Sequence, residues 1–381
     1  MRVAYVSSYP PRECGIATFT EDLVKAIDEY NILAPGVVVA VNDTGATYGY
    51  DKRVKFQIER DSIESYLDAA SWINNSNIDT VSLQHEFALF GGTTGEYIIA
   101  FMEKLQKPIV TTLHSIPYPD SSKKRETLEK IANLSDSIVV IGSNAAHILK
   151  EEYNIEDKIH IIPHGCPDVP CINRGEIKAS LGLEDRIIMS TFGLLNSKKG
   201  IEYVINALPS IIERDSRVIY MVIGETHPER RKKEGEQYRN ILSALVDNHG
   251  LEKHVVFINR FLTKKELISY LQATDIYVVP SITKDQVSSG TLVYALAAGK
   301  AIISTPFPHA QELLSSGRGL FCEFEDSDSI AKCAITFLKD NKLMVEMEKK
   351  AHDYSRQFLW PEVAKKYIRL FKEVAGNNVN F

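Results

Sequence analysis

The sequence has little cysteine, and what it has is scattered. Its five cysteines, Cys14, Cys166, Cys171, Cys322 and Cys333, are odd in number and form no C-x-x-C pair. That excludes a disulfide framework or a zinc site from the expectation and favours a reducing compartment. Long apolar runs are also missing: no stretch approaches the roughly 20 residues that a membrane-spanning helix needs. The opening MRVAYVSSYP enters a strand-like run directly and carries no signal-peptide core. These absences predict a cytoplasmic protein with no transmembrane segment and leave peripheral membrane contact open. There is no basic excess either. With a net charge of -6, the chain has no large cationic surface to offer a phosphate backbone, so nucleic acid is not an expected partner. No G-x-G-x-x-G follows a strand-like run, which disfavours an NAD-dependent enzyme.

What is present is a chain of 381 residues, too long for one ordinary core and suited to two domains. Short β-rich runs alternate with helical patterns, which predicts an α/β protein with parallel sheets. The alternation occurs twice. VAYVSS, VVVAVN, DTVSLQ, PIVTTLH, SIVVIGS and HIIPHG read as strands of a first half, with a helix over TEDLVKAIDEY. Residues Pro167 to Gly175 read as a linker. IIMSTFGLL, RVIYMVIG, VVFINRF, DIYVVPS and AIISTP read as strands of a second half, with a long helix from Gly200 to Ile212. The expected domains are residues 1–170 and 171–355. Two doubly wound sheets in series predict a ligand cleft at the carboxyl ends of their strands. Near the end, the residue before Pro361 is biased against helical geometry, so a break is expected at Trp360-Pro361.

The segment from Val278 to Pro306 reads strand, loop, helix, strand. Its helix begins at Ser288-Ser289-Gly290-Thr291 and is apolar on nearly every side. The first N–H groups of a helix have no internal partner and sit at the positive end of the peptide dipoles. A serine cap, a glycine open to close approach and a threonine hydroxyl make an anion site there. Plain serine capping gives the same string, and both readings stand on this segment alone. In FGLLNSKKG, Lys198 and Lys199 follow a strand end, where a lysine can neutralise a diphosphate; a surface lysine pair is the plainer reading. His85, His114 and His164 all follow strands at one end of the first sheet, with Glu86 beside the first of them. Asp326-Ser327-Asp328 has metal-ligand spacing but precedes a helical pattern, so capping is expected. The run Arg230 to Lys233 lies among acidic residues and reads as a solvated loop.

These strings resemble glycosyltransferase family 4, retaining enzymes of GT-B fold. GLLNSKKG is similar to the family's G-R-L-x-x-x-K-G, IPHG to I-P-N-G, ALAAGKAIIST to E-A-M-A-C-G-K-P-V-I-A-T, and AQELL to its P-E-L element. The resemblance implies two Rossmann-like domains. The N-terminal domain would bind the acceptor, the C-terminal domain the sugar nucleotide, and a kinked helix over 356–381 would return to the N-terminal domain. It implies Lys199 at the diphosphate, His114 near the anomeric centre, Gly15 in the first loop and Glu312 in the P-E-L element. The family's two glutamates around the phosphate helix are here Gln286 and Tyr294, with Asp285 as the nearest carboxylate. Its G-R-L arginine is Leu194, with Lys198 or Arg260 as substitutes. SSGT in place of G-F-G-L, together with QHEFALFGG and ETHPE, resembles a bacterial and archaeal subgroup.

The implied activity is transfer of a hexose, mannose by preference, with retention. The donor is GDP-mannose or UDP-glucose and the acceptor a saccharide or lipid-linked glycan. His114, Asp285 and Gln286 are the catalytic candidates. Gly15, Lys198, Lys199, Arg260, Ser288, Ser289, Gly290, Thr291, Tyr294 and Glu312 are expected on the donor, and His85 and Glu86 on the acceptor. No cofactor and no metal is required. A sugar-nucleotide 2-epimerase of the same fold and a catalytically silent nucleotide-sugar binder are the alternatives.

Overall fold

The computed structural model describes residues 1–30, 34–117, 122–170 and 173–376. Cys171, part of the expected linker and the last five positions of the C-terminal segment lie outside them. The chain forms two compact units, Met1–Gly165 with Phe358–Phe381 and Cys166–Gln357.

The first unit is built on a seven-stranded parallel sheet. Its strands are β1 (Arg2–Ser7), β2 (Ala34–Asn42), β3 (Val54–Glu59), β4 (Thr80–His85), β5 (Ile109–Leu113), β6 (Ser137–Val140) and β7 (Ile159–Ile161), in spatial order 3-2-1-4-5-6-7. The second has β8 (Ile187–Phe192), β9 (Val218–Ile223), β10 (Val255–Ile258), β11 (Ile276–Val279), β12 (Ala301–Ser304) and β13 (Leu320–Phe321), in order 10-9-8-11-12-13. The central strands lack the polar/apolar alternation of a one-sided strand because both faces are covered; every residue of β4 and of β9 is buried. Edge strand β3 alternates exposed and covered residues instead, and it carries no continuous apolar run. In each sheet the order reverses at one point, between β1 and β4 and between β8 and β11. Ligands of doubly wound folds bind beyond the carboxyl ends of the strands at such a switch.

Three expected boundaries shift. The first helix spans Gly15–Asp28 and starts five residues before Thr20, because Ala17 and Phe19 already pack into the core. Gly175 lies in a helix, Arg174–Ser180, capped by Asn173, so the linker is shorter than read. The basic run lies on a helix, Pro228–Glu234, rather than a loop. Proline at its start and the His227 side chain at its cap supply the local signal. The break at Trp360-Pro361 is present: a 3-10 turn, Arg356–Phe358, ends one helix before Trp360–Val374 begins.

That last helix completes the first unit. Trp360, Val363, Ala364, Tyr367, Ile368 and Phe371 form one buried stripe at helical spacing, packed with Val3, Tyr5 and Leu23. Each large apolar side chain so buried contributes about 1.5–3 kcal/mol. The Tyr367 and Thr112 hydroxyls pair at 3.0 Å and tie the helix to β5. Gly165 is what lets Trp360 lie flat, since a Cβ there would sit 2.3 Å from two atoms of the indole ring. Gly165→Ala is therefore expected to lower stability by about 1–3 kcal/mol, the usual cost of overpacking. The urea midpoint of tryptophan fluorescence checks it; an unchanged midpoint would show that the indole can move without cost.

Candidate functional site

The second unit gathers its polar residues at the β8/β11 switch. Beyond β8 the chain turns at Gly193, whose φ is +128°, and its N–H donates to Ile223 at 2.9 Å. Leu195 then donates to Glu225 (2.8 Å), and His227 to Leu195 (2.9 Å), so the loop continues the β8/β9 ladder past its end. Gly200 closes the loop at φ +65°. A Cβ on it would fall 2.1 Å from the Pro280 carbonyl, which explains the glycine. The N–H of Ile282 donates to the Lys198 carbonyl at 3.1 Å. The loops after β8 and β11 are thus locked together.

That frame brings Lys199 to the helix Gly290–Ala297. A Cβ built on Gly193 would lie 3.2 Å from Lys199 Nζ and 3.4 Å from Thr291 Cγ2. Lys199 is half-buried, and no carboxylate among the described residues pairs with it. Burial alone pulls its pKa below the ordinary lysine value. Ser289 caps the helix, its hydroxyl accepting from the Leu292 N–H at 3.3 Å. The N–H groups of Gly290 and Thr291 precede any possible intrahelical acceptor. The Thr291 hydroxyl, read from sequence as a donor to an anion, is engaged by Tyr277 and lies 3.3 Å from Ser289 Oγ. The backbone therefore supplies the donors. A half-buried ammonium beside a free helix start is an arrangement that takes an anion.

The remaining residues expected at the donor are spread more widely. Tyr294 is buried with its ring centroid 6.2 Å from that of Phe192. Ser288 gives its carbonyl to the Gln286 amide at 2.8 Å. Asp285 is half-buried on the same loop, with no partner among the described residues. Glu312 is half-buried on the helix Pro308–Leu314, and His309 of that helix donates its N–H to the Gln286 carbonyl at 3.3 Å. The Lys198 side chain is exposed. Arg260 is not brought to this cluster by any contact: it pairs at 2.7 Å with Glu266, the carboxylate of a capping box. Asp326 caps the helix Ser327–Lys339, accepting from Ser329 at 2.9 Å, and its D-x-D string has that local cause. Lys300 of the AAGK string is buried, with Nζ donating to the carbonyls of Thr274 (3.1 Å) and Gln272 (3.3 Å), a structural role.

In the first unit, the loop after β1 is held by Arg12, which pairs with Asp43 at 2.6 Å and donates to the Val41 carbonyl. It delivers Gly15 to the start of the first helix, exposed, where an added Cβ would meet nothing within 4 Å. Phe19, one turn on, centres an aromatic group: its ring lies 4.8 Å from that of His114, 5.0 Å from His164 and 5.3 Å from Trp360. His114 Nε2 donates to Gln84 Oε1 at 2.9 Å, and Gln84 Nε2 donates to Ser82 at 3.0 Å. That chain fixes the neutral tautomer with Nδ1 as the acceptor. Burial, with smaller contributions from His164 and His85, lowers the His114 pKa to about 3. Sequence reasoning does not single out Gln84 or Phe19. A glutamine inside the apolar run of β4 is the signal that could have found the first.

His85 does not join this surface. It is fully buried, stacked 5.8 Å from Phe90 and edge-on to Phe87 at 4.8 Å, with both ring nitrogens unpartnered among the described residues. Its expected place on an acceptor is thus occupied by core packing, since a strand end can point a side chain inward as readily as outward. Burial lowers its pKa to about 3. Glu86 is half-buried; burial raises its pKa, opposed in part by the N–H groups of Phe87 and Ala88 and by Lys124.

Known proteins share this architecture. Residues 173–354 match the family described as Glycosyl transferases group 1, and residues 15–168 match Glycosyltransferase Family 4. An uncharacterized glycosyltransferase of Methanocaldococcus jannaschii is 25% identical over 70% of this chain and 69% of its own. A phosphatidyl-myo-inositol mannosyltransferase of Mycolicibacterium smegmatis is 22% identical over 73% of this chain and 68% of its own. The solved structure of Anabaena HepE in complex with UDP superposes with a TM-score of 0.78 at 14% identity, covering 98% of this chain and all of that one. Among the described residues, no helix is long and apolar enough to cross a membrane. The two family matches fall one on each unit and between them span most of the sequence: the chain is a glycosyltransferase of GT-B fold.

Proposed function

We propose that the protein moves a hexosyl group, mannosyl by preference, from a nucleoside-diphosphate sugar to a saccharide or lipid-linked glycan, with retention at the anomeric carbon. The observation that carries this reading is the Lys199 ammonium, without a carboxylate partner among the described residues, lying with Thr291 at the start of helix Gly290–Ala297 around Gly193. Those groups suit a diphosphate, whose negative charge grows as it leaves. Donors fixed in advance at such a charge are the largest expected catalytic contribution. The bond from the anomeric carbon to the diphosphate oxygen breaks, and a bond to the acceptor oxygen forms on the same face. The acceptor proton passes to the departing diphosphate. The phosphate charge is assigned to Lys199 and the helix start, with no metal ion assigned. UDP in HepE supports a sugar-nucleotide donor, and a relative named as a GDP-mannose-dependent mannosyltransferase supports putting GDP-mannose ahead of UDP-glucose.

The acceptor is assigned to the first unit, around Gly15, Glu86 and His114. Gly15→Ala tests this. With open space around an added Cβ, the melting temperature should not fall, while transfer should drop by about tenfold or more if ligand fills that space. Unchanged transfer would remove Gly15 from the site. The function itself is tested by incubating the protein with GDP-mannose or UDP-glucose, with and without a panel of glycan acceptors, and following the anomeric protons by NMR. Retained glycoside appearing only with an acceptor is the expected result. Interconversion of sugar nucleotides without an acceptor would make the protein an epimerase, and binding without turnover a silent binder.

A further inference from the structure

Gln286 stands where the resemblance expects a glutamate on the donor sugar, yet both ends of its side chain are used inside the protein. Ser281 Oγ donates to Gln286 Oε1 at 2.9 Å, and Gln286 Nε2 donates to the Ser288 carbonyl at 2.8 Å. Its backbone is held as well: its N–H donates to the Thr283 carbonyl at 3.4 Å, and its carbonyl accepts from His309 at 3.3 Å. Ser281 is buried, and its carbonyl accepts the Thr305 hydroxyl at 2.6 Å, which anchors this end of the loop on the residue after β12. The other end, Ser288, precedes the Ser289 cap of helix Gly290–Ala297. The Gln286 amide therefore bridges the anchored start of the loop to the start of that helix.

We infer that Gln286 is a positioning residue: its amide clamps the Ser281–Ser288 loop, sets the start of the diphosphate helix and leaves the Asp285 carboxylate of that loop to meet the hydroxyls of the donor sugar. The inference rests on the proposed sugar-nucleotide site. It differs from a glutamate-like role for Gln286 in what the chemistry requires. The clamp needs an N–H donor facing the Ser288 carbonyl. A contact to sugar hydroxyls needs only an acceptor, which a carboxylate supplies better.

Gln286→Glu separates the two. The ionised carboxylate of this variant has no donor and sets an anion against a carbonyl oxygen. Transfer at pH 8 should fall by about tenfold or more, the loss expected when a half-buried acceptor loses its partner and faces an anion instead. Lower pH restores an O–H donor, so the ratio of Q286E to wild-type activity should rise as the pH falls. Ser281→Ala, which removes the bond to Gln286 and the one the Ser281 hydroxyl accepts from the Thr283 N–H at 3.3 Å and adds no charge, should lose activity in the same direction with a flat pH ratio, and it carries the test alone if Q286E does not fold. Asp285→Asn should raise KM for the sugar nucleotide while leaving affinity for the free nucleoside diphosphate unchanged. Q286E activity equal to or above wild type at pH 8, or full activity of S281A, would overturn the clamp. Wild-type protein that neither binds nor turns over sugar nucleotides would instead overturn the functional reading beneath it.

Discussion

Lys199→Ala is expected to abolish most turnover while leaving the fold as stable as before or more so. The ammonium is half-buried, faces the start of a helix and has no carboxylate partner among the described residues, so the folded protein alone gives it little reason to be charged. A diphosphate supplies that reason. Removing one fixed donor from a growing negative charge costs on the order of 10²–10³ in kcat. A lysine kept for packing or solubility would give the opposite pattern, with stability lost and turnover kept. The depressed pKa adds a second signature. The free enzyme loses this ammonium at a lower pH than an ordinary lysine does, so kcat/KM should fall on the alkaline side earlier than a pKa near 10.4 predicts. Lys199→Arg keeps its charge at every accessible pH, so whatever activity it retains should lack that alkaline limb. A pH profile of all three proteins checks both points.

The second large effect is acid sensitivity of the first unit. His85 and His114 are buried and neutral, with pKa values lowered to about 3. Unfolding returns each to about 6.5, so between these values the unfolded chain binds more protons than the folded one. Stability therefore rises with pH across this window and is lost as the pH falls below about 6.5. The loss is roughly 1.4 kcal/mol per pH unit for each histidine, or about 4 kcal/mol for the pair at pH 5. Against a total of about 5–15 kcal/mol for a folded domain, that is large. Both tryptophans, Trp72 and Trp360, lie in this unit, so their fluorescence reports it selectively. His85→Leu should fill the slot between Phe87 and Phe90 without a group that must take up a proton. Its urea midpoint at pH 5 should rise towards the neutral value, with roughly half of the acid loss removed. A wild-type midpoint flat between pH 5 and 7.5 would show that these imidazoles can be protonated in place.

The fold was legible because buried parallel strands leave a strong trace. VVVAVN, RVIYMVIG and DIYVVPS have no polar face to hide. Strand β3 escaped because it lies at an edge and carries the mixed pattern VKFQIE. The early start of the first helix escaped because its cap, Cys14, makes no side-chain capping bond to the helix and offers none of the usual signals. At the site, the capped start at Ser289 and the lysine after β8 could be read because capping and strand-end chemistry are local. The inward turn of His85 could not, since adjacent positions on a strand face opposite sides and sequence does not say which side has room. Nor could the engagement of Gln286 by Ser281 and Ser288 be read. A glutamine between charged and small residues has the same sequence whether it faces a ligand or its own backbone.

The proposed activity requires Lys199 and the Gly290–Ala297 helix start to hold the diphosphate of a sugar nucleotide. Isothermal titration of wild-type and K199A protein with GDP and UDP tests it without depending on the acceptor. The wild type is expected to bind at least one of the two nucleotides and K199A to bind it at least about tenfold more weakly, the loss of one charge-assisted contact to phosphate. Undiminished affinity in a folded K199A protein would contradict that requirement.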